Sequence, residues 1–362
     1  MFMYSDKINM LQRQEGVGIS LYAGLVLMLL TMFVLDISVG SVHIPFGQIV
    51  KIFAGQEPQR AAWGNILWLF RLPKALTAIL AGAGLAVSGL VMQTLFRNPL
   101  AGPSVLGINA GASLGVALMV LSAAAGGVGS RFLDGLGVLG ELGMVLAASL
   151  GSALVLLLIM AFAERVRSIM TLLILGLLFG YATSALVSIL IHFSIAERIQ
   201  AYISWTFGSF GTTTWKQLYI FAPVITGGLL AASFLQKPLN ALLLGEVYAK
   251  SLGLHLKHTR LSLIAITALL SGSTTAFCGP VAFLGITIPH LCRIFFHTSD
   301  HRTLLPTVIL TGAIVALIAD IISQMPGSQL VLPLNAVTSL IGVPVIIWVI
   351  LSKNDLMETF AA

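Results

Sequence analysis

Long apolar runs separated by short polar connections make up most of the chain. A helix of about 20 mainly apolar residues is long enough to cross the hydrocarbon core of a membrane. By this criterion the sequence predicts ten membrane spans: about residues 17–35, 66–94, 99–122, 138–162, 169–193, 217–236, 259–278, 281–296, 304–324 and 335–352. Runs such as residues 147–163 lack the alternation of a transmembrane β-strand, so the spans are expected to be helices. We therefore predict an all-α polytopic membrane protein that forms a single domain over residues 1–362.

The longest polar interruption covers residues 237–260, between predicted spans six and seven. Four apolar side chains recur in it at helical spacing: Leu244, Val247, Tyr248 and Leu252. Gly253 follows them where a left-handed residue would end a helix. These features predict a short amphipathic helix. It could lie flat on the membrane surface with a solvated face, or it could be the docking element for a soluble partner, and the pattern alone leaves both interpretations open.

Small side chains recur every four residues in two of the predicted spans. They are Ala78, Gly82 and Ala86 in span two, and Gly176, Gly180, Ser184 and Ser188 in span five. This spacing lets two helices approach closely, so tight packing is the simplest interpretation of both stripes. A pathway or a dimer interface is the alternative for the stripe in span five.

The composition agrees with a membrane protein and excludes an ordinary soluble domain. Of the 362 residues, 57% are hydrophobic and only 9% are charged, and the mean hydropathy is +1.00. The net charge of +6 does not indicate nucleic-acid binding, because the basic residues are scattered over the connections rather than gathered on one face. Membrane lipid is the expected surrounding, and no nucleic-acid partner is expected.

The distribution of Lys and Arg predicts the orientation in the membrane, because cytoplasmic connections carry an excess of these residues. With the N-terminus inside, twelve would lie on the cytoplasmic side: Lys7, Arg13, Arg97, Arg165, Arg167, Lys237, Lys250, Lys257, Arg260, Arg293, Arg302 and Lys353. Seven would lie outside: Lys51, Arg60, Arg71, Lys74, Arg131, Arg198 and Lys216. Both termini and residues 237–260 are therefore expected in the cytoplasm. Arg71, near the outer end of span two, is expected to anchor that end at the membrane interface.

Asp320 is the ionisable residue that lies deepest in an apolar run, and such a group must be paired or face a cavity. It would be the coupling group if the protein were an ion-driven secondary transporter. A proton relay normally needs a second carboxylate within the membrane, whereas Asp36 falls at the outer end of span one. This argues against a proton-coupled carrier.

The sequence contains neither GxxxxGK[ST] nor HExxH, and its one GxSxG match, GASLG at residues 111–115, falls within an apolar run rich in small residues. The histidines and the aspartate between residues 290 and 301 lack the spacing of metal ligands on one helical face. We predict that the protein is not an enzyme and binds no metal or cofactor. Any energy for transport would then come from a partner or from an ion.

Five ordered blocks, spread over nearly the whole chain, match a known family. The first is RLPKALTAILAGAGLAVSGLVMQTLFRNPLAGPSVLGINAGASLG at residues 71–115. The others are LLLGEVYAKSLGL at 242–254, GPVAFLGITIPHLCR at 279–293, DHRTLLP at 300–306 followed by the pair Ala319 and Asp320, and LPLNAVTSLIGVPVIIWVI at 332–350. Together they resemble the FecCD-type permease family, the transmembrane subunits of type II ABC importers for iron chelates, haem and cobalamin.

The resemblance implies a ten-span subunit in the bacterial inner membrane that pairs with a second permease copy, expected to be identical. Two cytoplasmic ATPase subunits would bind below it and would use ATP and Mg, while this subunit would bind no cofactor. A periplasmic or lipid-anchored substrate-binding protein would deliver a ferric siderophore, haem or cobalamin. The ion-coupled carrier that uses Asp320 is the alternative.

The family also implies roles for particular residues. The connection at residues 237–260 would form short coupling helices that contact the ATPase through Leu244, Gly245, Glu246, Val247, Ala249, Lys250, Leu252 and Gly253. Spans five and ten would line the translocation pathway or the dimer axis through Gly176, Gly180, Ser184, Ser188 and Thr338.

Two departures from the family pattern fall at the outer side. Family members often carry an Arg and a Glu where this chain has Gln324 and Val331. Docking of the binding protein in this family commonly pairs permease arginines with glutamates of that protein. Lys51, Arg60 and Lys216 are therefore the expected docking residues here.

Overall fold

A computed structural model describes residues 19–121, 137–166, 169–325 and 330–352, and the regular structure in these ranges is helical. The α-helices are α1 (Ile19–Ser38), α2 (Phe46–Phe53), α3 (Ala61–Asn65), α4 (Leu72–Phe96), α5 (Ile108–Leu121), α6 (Gly137–Arg165), α7 (Ile169–His192), α8 (Ala196–Thr206), α9 (Trp215–Phe234), α10 (Gln236–Leu243), α11 (Glu246–Ser251), α12 (Leu256–Cys278), α13 (Leu284–Phe296), α14 (His301–Ser323) and α15 (Leu334–Ser352). A π-helical segment, Ile66–Arg71, joins α3 to α4, and a 3₁₀ turn, Pro103–Leu106, precedes α5. The all-α architecture predicted from the sequence is confirmed.

Seven helical stretches within the described residues are long and apolar enough to cross a membrane. They lie in α1, the continuous run Ala61–Phe96, α6, α7, α9, α12 and α14, and each coincides with a predicted span. The three remaining predicted spans correspond to shorter apolar helices, α5, α13 and α15.

Two of the predicted spans begin later than the apolar pattern suggests. The span expected at residues 99–122 starts with an irregular segment, because Pro99 and Pro103 lack the N–H groups that a helix needs, and α5 begins only at Ile108. The span expected at residues 281–296 also starts later, because the chain turns at Gly279, where φ is +73°, and α13 begins only at Leu284. Helix α13 then continues through Pro289.

Helix α4 lies at the centre of the fold, and nearly all of its side chains are buried. A Cβ on Gly82 would overlap the carbonyl oxygen of Gly312 in α14, and a Cβ on Gly89 would overlap the carbonyl oxygen of Gly285 in α13. Glycine at these positions lets the backbones of neighbouring helices touch. The packing interpretation of the small-residue stripe around Gly82 is therefore confirmed.

The two ends of the molecule differ in their connections. We call the end that carries α10 and α11 the inner end, and the opposite end, which carries α2 and α8, the outer end.

Five basic residues used to predict the orientation lie outside the described residues: Lys7, Arg13, Arg131, Arg167 and Lys353. The cytoplasmic location of both termini stays a prediction.

Candidate functional site

At the inner end, residues 237–260 form two short helices before α12 begins, in agreement with the short coupling helices that the resemblance implies. Helix α10 ends at Leu243, and α11 begins at Glu246 after Gly245, whose φ is +102°. A side chain is rarely tolerated at this backbone angle, so glycine permits the sharp turn between the helices. Gly253 has a φ of +86° and ends α11, as the sequence predicted.

The bounds of α10 were not predicted, although the sequence contains a signal for this helix. Pro238 lies in its first turn, where a missing N–H costs little. Leu239 and Leu242 follow at helical spacing, and both are buried. The apolar pattern does not separate this helix from span six, because α10 follows α9 directly.

An apolar surface covers one side of this inner segment. Its members are large hydrophobic side chains that are exposed in the subunit: Leu244, Val247, Tyr248 and Leu252. Val247 is the most open of them, at 88% exposure. We call these four residues the inner apolar patch. Contiguous exposed apolar groups on a segment that does not cross the membrane are typical of a protein-binding surface.

Other predicted coupling residues anchor the segment to the subunit rather than face outward. Ala249 is the completely buried residue of α11. Glu246 forms an ion pair with Arg260 at the start of α12. Lys250 is exposed beside the inner apolar patch. The eight predicted residues therefore include both a surface and the contacts that hold that surface in place.

At the outer end, charged residues from three helices meet in a buried cluster. The Lys74 Nζ lies 2.6 Å from Asp320 Oδ2 and 3.4 Å from Asp36 Oδ1. The amide nitrogen of Gln324 donates to both carboxylates, at 2.7 Å to Asp320 Oδ2 and 3.2 Å to Asp36 Oδ1. We call these four residues the outer charge cluster. It ties together the ends of α1 and α14 and the beginning of α4.

Asp36 lies at the outer end of α1, as predicted, and its side chain is completely buried beside Asp320. One expectation about this end of the molecule was wrong. Arg71 was expected to anchor at the membrane interface, but it is 5% exposed and donates to the carbonyl oxygens of Ile37 and Ser38, each at 2.9 Å. Ile37 and Ser38 are the last residues of α1, and their carbonyl groups have no partner within that helix. They therefore accept hydrogen bonds from the guanidinium group at the start of α4.

A cavity of about 370 Å³ opens beside the outer charge cluster. Among the described residues its polar lining includes Arg71, Lys74, Asp320 and Gln324. Lys51, Arg60 and Lys216, the predicted docking residues, are exposed elsewhere at the outer end. The guanidinium group of Arg60 lies over the ring of Trp63, 5.4 Å from its centroid. The sequence offers one signal for this cavity: two basic residues, Arg71 and Lys74, three positions apart at the start of the first family block.

The predicted pathway residues do not share one environment. Gly176 is buried, and its carbonyl oxygen lies close to Gly107. Ser184 and Ser188 are exposed further along α7, and Ser188 Oγ donates to the carbonyl oxygen of Ser184 at 2.9 Å. Thr338 is 2% exposed and faces α13 and α14 inside the subunit. Gly180 is half-buried with open space around it, so in the single subunit the stripe is closed at Gly176 and open from Gly180 to Ser188.

Asp320 therefore has a charged partner within the same subunit, and the ion-coupled carrier receives no support from its environment. Lys74 pairs with both Asp36 and Asp320, so a second carboxylate does lie beside Asp320, contrary to the sequence-based argument. Two carboxylates that share one ammonium group inside the subunit are typical of a structural network.

The sequence and the fold identify the class of this protein. The sequence model of the FecCD transport family matches residues 27–352. A metal-chelate type ABC transporter solved in an inward-facing conformation has a TM-score of 0.79 and 27% identity, and the match covers 92% of this chain and 99% of that one. This chain belongs to the FecCD transport family.

Two similar proteins are named as permeases for vitamin B12 import. The vitamin B12 import system permease protein BtuC of Klebsiella pneumoniae is 37% identical over 333 residues, which is 91% of this chain and 93% of that protein. The vitamin B12 import system permease protein BtuC of Shigella sonnei is 38% identical over 288 residues, which is 80% of this chain and 84% of that protein.

Proposed function

We propose that this protein is the transmembrane permease subunit of an ATP-driven importer in the bacterial inner membrane. The observation that carries the proposal is the inner apolar patch, presented on two short helices between long apolar ones. The chain has no nucleotide-binding motif of its own. An importer built on it must take its energy from a separate ATPase, which would bind ATP and Mg.

The assembly would contain two permease copies, two ATPase subunits at the inner end and a periplasmic or lipid-anchored binding protein at the outer end. The inner end would then be cytoplasmic, as the distribution of Lys and Arg predicts. The exposed faces of α7 and α15 would meet lipid or the second copy. Ser184 and Ser188 are the proposed pathway residues, and their exposure in the subunit supports this role.

In the proposed mechanism, ATP binding brings the two ATPase subunits together and displaces α10 and α11. The two permease copies respond as rigid bodies, and the pathway between them opens alternately to the two sides of the membrane. No covalent chemistry takes place in this subunit. The binding protein would dock near the outer cavity, with Lys51, Arg60 and Lys216 exposed around it.

We propose a large metal chelate as the cargo, and cobalamin as the first to be tested. Support comes from the relatives named for vitamin B12 import and from the solved metal-chelate type transporter. A ferric siderophore and haem are the other cargo classes of the family. Uptake of either one would change the proposed cargo but leave the proposed importer function intact.

The experiment is uptake into proteoliposomes that contain this permease and its ATPase, with the binding protein supplied outside. Radiolabelled cyanocobalamin, a ferric hydroxamate and haemin are tested separately, each with ATP or with a non-hydrolysable analogue inside. Uptake of one of them with ATP alone supports the proposal. Uptake that persists without hydrolysis but stops with an uncoupler would contradict it.

A further inference from the structure

A single buried histidine joins three helices at the inner end. The Nδ1 of His301, the first residue of α14, lies 2.7 Å from Asn240 Oδ1 in α10. Its Nε2 lies 2.9 Å from Thr94 Oγ1 in α4. The backbone N–H of His301 also donates to Asn240 Oδ1 at 2.9 Å. We call Asn240, His301 and Thr94 the inner clamp.

The chemistry of these groups fixes the direction of each hydrogen bond. The Oδ1 of Asn240 can only accept, so the neutral imidazole ring must donate from Nδ1. Its Nε2 is then an acceptor, and the hydroxyl group of Thr94, which also lies 2.9 Å from the carbonyl oxygen of Leu90, donates to it. The Nδ2 of Asn240 donates to Asp300 Oδ1 at 2.5 Å, so both ends of the Asn240 amide are held.

Two members of the clamp, His301 and Thr94, have no exposed surface, so the hydrogen bond between them is costly to break, and Asn240 is half-buried. A buried donor or acceptor that loses its partner keeps the cost of its desolvation. These hydrogen bonds therefore resist displacement of α10 relative to α14 and of α14 relative to α4. Apolar contacts are not directional and would resist such a displacement less.

The neighbouring residue on α4 makes a second contact of the same kind. The Nε2 of Gln93 donates to the carbonyl oxygen of Ile286 in α13 at 2.9 Å, and its Oε1 accepts from Arg293. Consecutive residues of α4, Gln93 and Thr94, thus hold α13 and α14. A displacement that reaches Thr94 is shared by three helices.

The clamp lies a short distance along the chain from the inner apolar patch. Only the end of α10 and the turn at Gly245 separate Asn240 from α11. Helix α11 itself is held by the buried Ala249 and by the pair of Glu246 with Arg260. A push on Val247 must therefore move α10 as well.

We infer that His301 is a positioning residue for transport: it passes movement of α10 and α11 to α4 and α14 through its bonds to Asn240 and Thr94. The inference rests on the proposed function, because it assumes that an ATPase moves α11. It predicts that a weakened clamp uncouples ATP hydrolysis from transport while the ATPase stays attached.

The test replaces Thr94 with Val, which keeps the shape of the side chain and removes the hydroxyl group. Thr77→Val is the matched control, because Thr77 is equally buried in α4 and its hydroxyl group donates only within that helix, to the carbonyl oxygen of Pro73 at 2.8 Å. Thr94→Ser restores the hydroxyl group. Asn240→Leu removes the hydrogen bonds between α10 and His301. It tests the same inference if the Thr94→Val variant does not fold.

Each variant is reconstituted with the ATPase and the binding protein. Uptake of cyanocobalamin, a ferric hydroxamate or haemin per ATP hydrolysed is measured together with the amount of ATPase bound. We expect Thr94→Val to lower uptake per ATP about fivefold, as the loss of one buried hydrogen bond allows. Attachment should not change, Thr94→Ser should recover most of the loss, and Thr77→Val should behave as the unaltered protein.

Two results would overturn the inference: a Thr94→Val variant that matches Thr77→Val, or one in which uptake and hydrolysis fall in equal proportion. The second result would assign the clamp a purely structural role. Failure of the proposed function is a separate outcome, since the unaltered complex would then move none of the three cargos with ATP.

Discussion

The ammonium group of Lys74 in α4 lies 2.6 Å from a carboxylate oxygen of Asp320 in α14, and both side chains are almost completely enclosed. The pair joins two helices that also touch through the backbones of Gly82 and Gly312. Asp36 from α1 completes the contact on the other side of Lys74. The outer charge cluster thus joins α1, α4 and α14 through ion pairs.

Replacing Asp320 with Ala should destabilise the protein. Removing one partner from a buried ion pair leaves an uncompensated charge, at a cost of about 3–5 kcal/mol in soluble proteins, although here Asp36 would compensate part of it. Thermal unfolding in detergent measures the effect, and Glu57→Ala, which removes an exposed carboxylate at the same end, is the control. An Asp320→Ala variant that is as stable as the control but has lost transport would instead favour ion coupling.

Gly89→Ala should weaken the packing of α4 against α13. The added Cβ would overlap the carbonyl oxygen of Gly285, so the helices must separate, at a cost of about 1–3 kcal/mol. Gly227→Ala in α9 is the matched control, because its Cβ would meet no other atom within 4 Å. There the change should stabilise the helix by up to about 1 kcal/mol. Equal melting temperatures for the two variants would show that the α4–α13 contact is not tight.

Gly245→Ala should disturb the turn between α10 and α11. Its φ of +102° lies where side chains are strained, whereas the space around it is sufficient for a Cβ. We expect a cost of about 1–2 kcal/mol, borne locally, and faster amide hydrogen exchange in α11. Gly47→Ala in α2, where a Cβ meets nothing within 4 Å and φ is not positive, should leave exchange unchanged. Unaltered exchange in Gly245→Ala would mean that the turn is not held at this angle.

Much of the fold follows from the apolar pattern because membrane spans need long uninterrupted runs. The positions of α1, α6, α7 and α12 agree with the predicted spans within a few residues. The end of α11 at Gly253 was also predicted, since a glycine after an amphipathic helix is a local signal. Local sequence sufficed for these features.

The outer charge cluster could not be predicted in the same way, because it depends on which helices become neighbours. Asp36 and Asp320 are far apart in sequence, and the hydropathy pattern carries no information on their pairing. The inner clamp has the same origin, since Thr94 and His301 meet only when α4 and α14 pack together. The family resemblance identified the blocks that contain these residues but not their contacts.

Attachment of the ATPase to the inner apolar patch is the central claim, and copurification of the ATPase with Val247→Asp tests it most directly. Val331→Asp is the control, because Val331 is 70% exposed at the outer end. The unaltered permease and Val331→Asp should retain the ATPase through affinity purification, whereas Val247→Asp should lose most of it while the permease stays monodisperse. Retention of the ATPase by Val247→Asp at the level of the control would contradict the account.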